Sequence, residues 1–333
     1  LLSLAVNKVI YCMKPPKKPS CFDGFFYAKL SKNSRVFSMT DFTLYQPKQP
    51  PIATLLVVHG MAEHQGRYQA FAQFLVNHQI AVMTFDHLGH GKKSQHQHTL
   101  GYMGNPDPAE QMITHVMQHA KLLADTYPNV PHFILGHSMG SFITRCIIQR
   151  FGSQFAGAIL VGTSAPNVIA AAFLPVTRLL NQLAPTKPNQ ALSTLLNQFN
   201  NLPFITEKSL SGFNWLNSDQ SQLKCYLADP LCGFAFTNNG YYALMQLMQQ
   251  GTRSHWWQCV PKALPMLFAS GSADPIGQMG KGIPIITQTL AEQGFINVTA
   301  KQYPHMRHEI LLETAHLQVF NDILAWLTNL ITH

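Results

Sequence analysis

The chain has 333 residues, of which 46% are hydrophobic and only 11% charged, and Lys plus Arg exceed Asp plus Glu by 23 − 15 = 8. So apolar a chain excludes the disordered and fibrous classes, and its length fits one α/β catalytic unit carrying an insertion. The positive excess favours anionic surfaces, but its charges are scattered, so nucleic-acid binding is not supported.

Residues 1–38 open with an apolar run, Leu1 to Ile10, interrupted by Asn7 and Lys8 and followed by Lys14-Pro15-Pro16-Lys17-Lys18-Pro19. With no basic n-region and no small-residue cleavage site the run is a poor signal peptide. The Lys/Pro tract reads as solvated and extended, so a poorly ordered leader is expected over 1–38. From Ile52 onward, short β-branched runs at 54–58, 81–85, 132–135, 157–161, 265–269 and 298–302 alternate with helical periodicity at about 68–78, 108–126, 139–150, 280–293 and 314–331. Strands this apolar are covered on both faces, which predicts a mostly parallel central sheet flanked by helices. The alternation breaks over 164–253, where Leu- and Phe-rich pieces are punctuated by Pro and Asn. That segment is expected to form a helical cap inserted into a core made of 39–163 and 254–333. No stretch reaches the ~18 uninterrupted apolar residues of a membrane-spanning helix. The six cysteines (Cys12, Cys21, Cys146, Cys225, Cys232, Cys259) contain no C-x-x-C pair and no zinc-type spacing. They indicate no metal site and leave a disulfide open.

The chemistry concentrates at strand ends. Gly136-His137-Ser138-Met139-Gly140 follows the strand at 132–135 directly and precedes a helical run. A G-x-S-x-G in that context is a nucleophile elbow: glycines at both flanks permit a tight turn that lifts the Ser138 hydroxyl above the sheet edge. An oxyanion needs two backbone N–H donors. Met139 would supply one, and Met61, in the loop His59-Gly60-Met61-Ala62-Glu63-His64, the other, with Gly60 permitting the turn and His59 bonding its own loop. A serine hydroxyl is a weak nucleophile until a base takes its proton, and the base needs an orienting acid. In the α/β-hydrolase order Ser, Asp, His, the acid is Asp274, in Gly271-Ser272-Ala273-Asp274-Pro275 after the strand at 265–269. The base is His308, past the last strand; His305 lies close to the strand end and His316 falls inside the final helix.

Four motifs carry a family resemblance: His59 to His64 with Arg67-Tyr68; Asp86-His87-Leu88-Gly89-His90-Gly91; Gly136 to Gly140; and Gly271 to Pro275 with Arg307-His308-Glu309. Together they resemble the monoacylglycerol lipase and bacterial lysophospholipase branch of the α/β-hydrolases over roughly residues 40–332. In the cap, Asn214-Trp215-Leu216, Asp219 and Asp229 to Phe234 resemble segments of bacterial members; the two aspartates are expected to cap helices or bond across to the core. One departure is Lys93, which stands where relatives often carry Ser. The resemblance implies a serine esterase that needs no cofactor and acts on a small-molecule acyl ester or lysolipid, with transient contact at a membrane surface and a cytoplasmic location favoured. A small-ester carboxylesterase or an acyltransferase would use the same triad, whereas a non-catalytic binding module would lose a triad member.

Overall fold

The computed structural model describes residues 42–166, 168–207 and 212–332. The leader expected over 1–38, with its basic cluster, lies outside the described residues. Among the described residues, seven strands form one sheet in the order β1-β3-β2-β4-β5-β6-β7. They are β1 (Phe42–Tyr45), β2 (Ala53–Val58), β3 (Ile80–Phe85), β4 (His132–His137), β5 (Gly157–Val161), β6 (Met266–Gly271) and β7 (Val298–Tyr303). All neighbours are parallel except β1, which runs antiparallel to β3 from Phe42 opposite Phe85 to Tyr45 opposite Val82. β1 is the one strand with no counterpart in the sequence reading; four residues at a half-exposed edge give too short an apolar run to stand out.

The helices are α1 (Gln69–Val76), α2 (Gly91–His96), α3 (Pro108–Thr126), α4 (Met139–Phe151), α5 (Val168–Leu183), α6 (Gln190–Asn201), α7 (Gln220–Ala228), α8 (Asn238–Thr252), α9 (Gly282–Glu292) and α10 (His316–Ile331). β2 through β6 are buried nearly throughout, because side chains on both faces meet helices. On one face Leu55, Val57, Phe133, Leu135, Ile159 and Leu267 pack with Phe71 and Leu75 of α1 and Val319, Phe320, Ile323 and Leu327 of α10. The spacing of the α10 residues is the i, i+4, i+8 stripe that a helix presents to a sheet. On the other face α4 lies against β4 and β5, α3 against β2, and α8 against α4 and α5.

Helix starts follow local chemistry. The Asp107 carboxylate accepts from the Glu110 amide with Pro108 next in sequence, and this cap sets the start of α3. α5, α6, α7 and α8 all fall between β5 and β6, in the stretch where the strand–helix alternation stops. Asp219 caps α7 by accepting from the Ser221 amide, as its position suggested.

Candidate active site

Ser138 stands between β4 and α4 with φ 53° and ψ −119°, a conformation that costs of order 1–3 kcal/mol for a residue with a side chain. Its neighbours make the turn possible. A Cβ on Gly136 would overlap the Gly140 carbonyl, and one on Gly140 would overlap the Val58 and His59 carbonyls of the adjoining strand. The Ser138 amide bonds the Val161 carbonyl at 2.9 Å, so the elbow is stitched to the end of β5. Met139 is the first residue of α4, and its amide therefore has no acceptor within the helix.

Asp274 and His308 meet where the loops after β6 and β7 converge: His308 Nδ1 donates to Asp274 Oδ1 at 3.0 Å, with both side chains buried. Asp274 also accepts from the Ser270 hydroxyl at 3.0 Å and the Ile276 amide at 2.9 Å. Burial alone would raise the Asp274 pKa; the charge of His308 and these hydrogen bonds outweigh it and hold the carboxyl below its ordinary value. The second ring nitrogen of His308, Nε2, is buried without a hydrogen-bond partner. Gly162, next to the carbonyl that anchors Ser138, has the His308 ring against its α-carbon: a Cβ there would come within 2.9 Å of His308 Cε1. The structure therefore pairs His308 with Asp274 and sets that pair at the strand end beside Ser138. The Ser138 hydroxyl does not yet bond Nε2, a contact that commonly tightens only with substrate in place. The competing histidines are elsewhere engaged. His305 is exposed, and His316 Nδ1 donates to the Glu313 carbonyl at 2.7 Å.

The loop after β2 comes close to Ser138 at Gly60, where a Cβ would stand 3.2 Å from that of Ser138 and 2.7 Å from Glu63 Oε1. Space, then, and not a left-handed turn, is what Gly60 provides; the left-handed residue is Ala62, φ 50°. Two neutral histidines hold this loop. His59 Nδ1 donates to the Gly60 carbonyl at 2.8 Å while Nε2 accepts from the His87 amide at 3.1 Å. His90 Nε2 accepts from the Ala62 amide at 3.2 Å, and its Nδ1 donates to the Leu88 carbonyl at 3.0 Å. Burial pushes His59 down to about 4 and His90 to about 3, which matches rings that donate at one nitrogen and accept at the other. The Asp86 to Gly91 motif is thus a brace for the loop, completed by Asp86 Oδ1 accepting from the Gln65 amide at 2.8 Å.

Beneath Ser138 lies a buried charge network to which the sequence reading assigned no function. Glu63 accepts from the Gly60 amide at 2.5 Å, the Tyr68 hydroxyl at 2.8 Å, His137 Nδ1 at 3.0 Å and Arg67 Nη1 at 2.8 Å. His137 Nε2 donates to the His308 carbonyl at 3.3 Å. Arg67 also forks onto Glu309, at 2.6 and 2.9 Å. Burial opposes charge on Glu63 and on His137, yet their mutual hydrogen bond wins: the carboxyl is held well below its ordinary value and the imidazole is raised. On the opposite side, the Trp215 ring packs 5.1 Å from the His308 ring, and the Glu309 amide bonds the Leu216 carbonyl at 2.8 Å. Glu63, Arg67, Tyr68 and Glu309 all stood inside the recognised motifs; a Glu–Arg–Glu complement between the first and last motif was the available signal.

The parallel sheet with an antiparallel first strand, the strained serine at a strand–helix elbow and the Asp–His pair on later loops define an α/β-hydrolase. Residues 49–315 match the family described as serine aminopeptidase, S33 (Hydrolase_4), and the chain belongs to that family. Among curated proteins it is similar to the monoglyceride lipase of Rattus norvegicus, 27% identical over 289 residues that cover 86% of this chain and 85% of the relative. It is also similar to the monoacylglycerol lipase of Mycolicibacterium smegmatis, 22% identical with 86% and 92% covered. Among solved structures, a thermostable carboxyl esterase from Bacillus coagulans in complex with glycerol superposes with a TM-score of 0.81 at 28% identity, covering 88% of this chain and 95% of that one. These likenesses bear out the resemblance to the monoacylglycerol lipase branch drawn from the four motifs.

Proposed function

We propose that the protein is a serine hydrolase that cleaves carboxylic esters of lipid-like substrates, monoacylglycerols or lysophospholipids, through an acyl-enzyme on Ser138. The observation that carries the reading is the buried His308–Asp274 pair, with His308 Nε2 unpartnered, set beside a serine whose backbone is strained into an elbow. Ser138 Oγ attacks the ester carbonyl and its proton passes to His308 Nε2. The tetrahedral oxyanion takes hydrogen bonds from the Met61 and Met139 amides, each worth about 3–4 kcal/mol in the transition state. Collapse expels the alcohol, which takes the proton from His308. Water then gives a proton to His308 and attacks the acyl carbon; collapse breaks the bond to Ser138 Oγ, which takes that proton from His308 as the acid leaves, while Asp274 stabilises the imidazolium. None of these steps calls for a metal or an organic cofactor.

The substrate class rests on the relatives, two of which are named for monoacylglycerol, and on glycerol bound to the similar esterase. It also rests on apolar surface. The segment 164–253 is read as a cap, with α8 as the leg that returns to the core against α4. α5 exposes Val176, Leu179 and Leu183, and α6 exposes Leu195 and Phe199, each set on one helical face; Leu183 is 74% and Phe199 54% exposed. Such faces suit transient contact with a lipid surface. No helix among the described residues is long and apolar enough to cross a membrane.

The test is hydrolysis of p-nitrophenyl esters from acetate to palmitate by wild type and Ser138→Ala in parallel. Turnover of the longer chains by wild type alone supports the proposal. A maximum at acetate would reassign the protein to small-ester hydrolysis, and activity that survives in Ser138→Ala would overturn the nucleophile. Adding a competing alcohol and analysing products separates hydrolysis from acyl transfer.

A further inference from the structure

His64, Asp229 and Cys232 converge although 165 residues separate the first two, and their ligand atoms all lie within 4.8 Å of one another. His64 comes from the loop after β2; Asp229 and Cys232 come from the turn after α7. His64 Nε2 lies 2.8 Å from Asp229 Oδ2. Asp229 Oδ1 is occupied by the Leu231 amide at 2.8 Å, which leaves Oδ2 as the oxygen facing the cluster. Cys232 is a free thiol, its amide bonded to the Asp229 carbonyl at 3.0 Å. A cavity of about 150 Å³ opens beside them; Asp229 and Cys232 line it together with Arg67, Gln222, Tyr226, Leu312 and a second thiol, Cys225.

Local charge favours a cation there. Arg67, the guanidinium on the cavity wall, is already paired with both Glu63 and Glu309. Adding Asp229 leaves three carboxylates against two basic groups, the Arg67 guanidinium and the His137 imidazole that bonds Glu63. One imidazole nitrogen, one carboxylate oxygen and one thiolate are a borderline-soft set that suits zinc and disfavours magnesium or calcium.

We propose that His64, Asp229 and Cys232 form a zinc site with its fourth position open to the cavity. On binding, Cys232 releases its thiol proton to solvent. The His64 proton moves from Nε2 to Nδ1, which gives up the 3.2 Å contact from the Gly66 amide, and Asp229 exchanges its bond to His64 for the metal. The bound ion cross-links the turn after α7 to the loop that carries Met61, two segments otherwise joined by the Gly233 amide and the Tyr226 hydroxyl on the Ala62 carbonyl, at 2.9 and 3.2 Å. None of this depends on the ester-hydrolase reading, because the tests read binding and not turnover.

The experiment titrates the protein, with its Cys259 disulfide intact, with zinc by equilibrium dialysis and with cobalt(II) by absorption, alongside Cys232→Ser, Asp229→Asn and, as a control for the exposed neighbouring thiol, Cys225→Ser. Expected are one zinc per chain, a near-ultraviolet thiolate-to-cobalt charge-transfer band, and a thermal midpoint that rises with zinc concentration, since a ligand of the native state alone stabilises it by mass action. These persist in Cys225→Ser and weaken at least tenfold in Cys232→Ser and Asp229→Asn. Absence of the cobalt–thiolate band in wild type, or a band that survives in Cys232→Ser, overturns the site without touching the proposal for Ser138. The cobalt measurement on wild type stands even if a variant fails to fold.

Discussion

At the scale of single residues, the candidate site divides into groups that do chemistry and groups that hold them. Asp274→Asn keeps the shape of the acid but loses the charge that fixes the His308 tautomer, so kcat for a p-nitrophenyl ester is expected to fall by roughly 10³–10⁴ with little change in the urea midpoint. Arg67 is a different case. It neutralises two carboxylates that are 2% and 4% exposed, Glu63 and Glu309, and Arg67→Leu would strand Glu309 and leave Glu63 with His137, Tyr68 and the Gly60 amide alone. Removing one partner of a buried ion pair costs about 3–5 kcal/mol, and a loss of that size in urea unfolding is the expected result. A cost below about 1 kcal/mol would mean that water reaches the network and relieves the two glutamates.

At the scale of elements, the elbow works because β4, β2 and α4 approach one another more closely than any side chain allows. Gly140→Ala sets a methyl group against two backbone carbonyls, neither of which can rotate away. α4 must retreat from β2, at a cost of about 1–3 kcal/mol or more, and the Met139 amide moves with it. Stability and turnover are therefore expected to fall together, a pattern that urea unfolding and steady-state kinetics on the same variant would check. Much of this level was legible beforehand. The β2 to β7 strands and the helices α1, α3, α4, α9 and α10 fall within two residues of the periodicity in the sequence, because buried parallel strands and amphipathic helices write strong local patterns. β1 was not legible, being held by its register on β3 and not by apolarity of its own. Gly60 was legible as a glycine that permits the turn of its loop, whereas the need for space beside Ser138 and Glu63 shows only in the fold.

At the scale of the whole molecule, the buried histidines set an acid limit. Burial lowers His59 to about 4 and His90 to about 3, and holds His87 and His115 well below their ordinary value. In the unfolded chain each would titrate near ~6.5. Below that pH the unfolded state binds protons that the native state refuses, so stability is fully present above about pH 6.5 and is lost progressively as pH falls toward the folded values. His137, whose pKa is raised, contributes in the opposite sense: its share is complete below ~6.5 and is lost as pH rises through the folded value. With four groups against one, the urea midpoint is expected to drop steadily from pH 7 to pH 4, and a flat profile would show that water reaches these rings. The exposed apolar faces of α5 and α6 belong to this scale as well. Leu183→Ser combined with Phe199→Ser is expected to weaken binding to lipid vesicles severalfold while leaving turnover of a soluble short-chain ester unchanged, as co-sedimentation and kinetics would report.

The sequence by itself determined the fold class, the elbow at Ser138 and the chain order of the proposed nucleophile, acid and base, because each is written in a short window: a strand, a turn residue, a helix, repeated in a fixed order. Only the tertiary structure decided what lies between those windows. It joined Glu63, Arg67, His137 and Glu309 into one buried network, turned His59 and His90 into struts for the loop bearing Met61, and laid Trp215 against His308. It also brought His64 to Asp229 and Cys232, a donor set that no sequence spacing announces. The physical reason is common to all of these. Local pattern records which way a side chain faces, while charge pairing and ligand geometry depend on distances that exist only after the sheet has set its strands side by side.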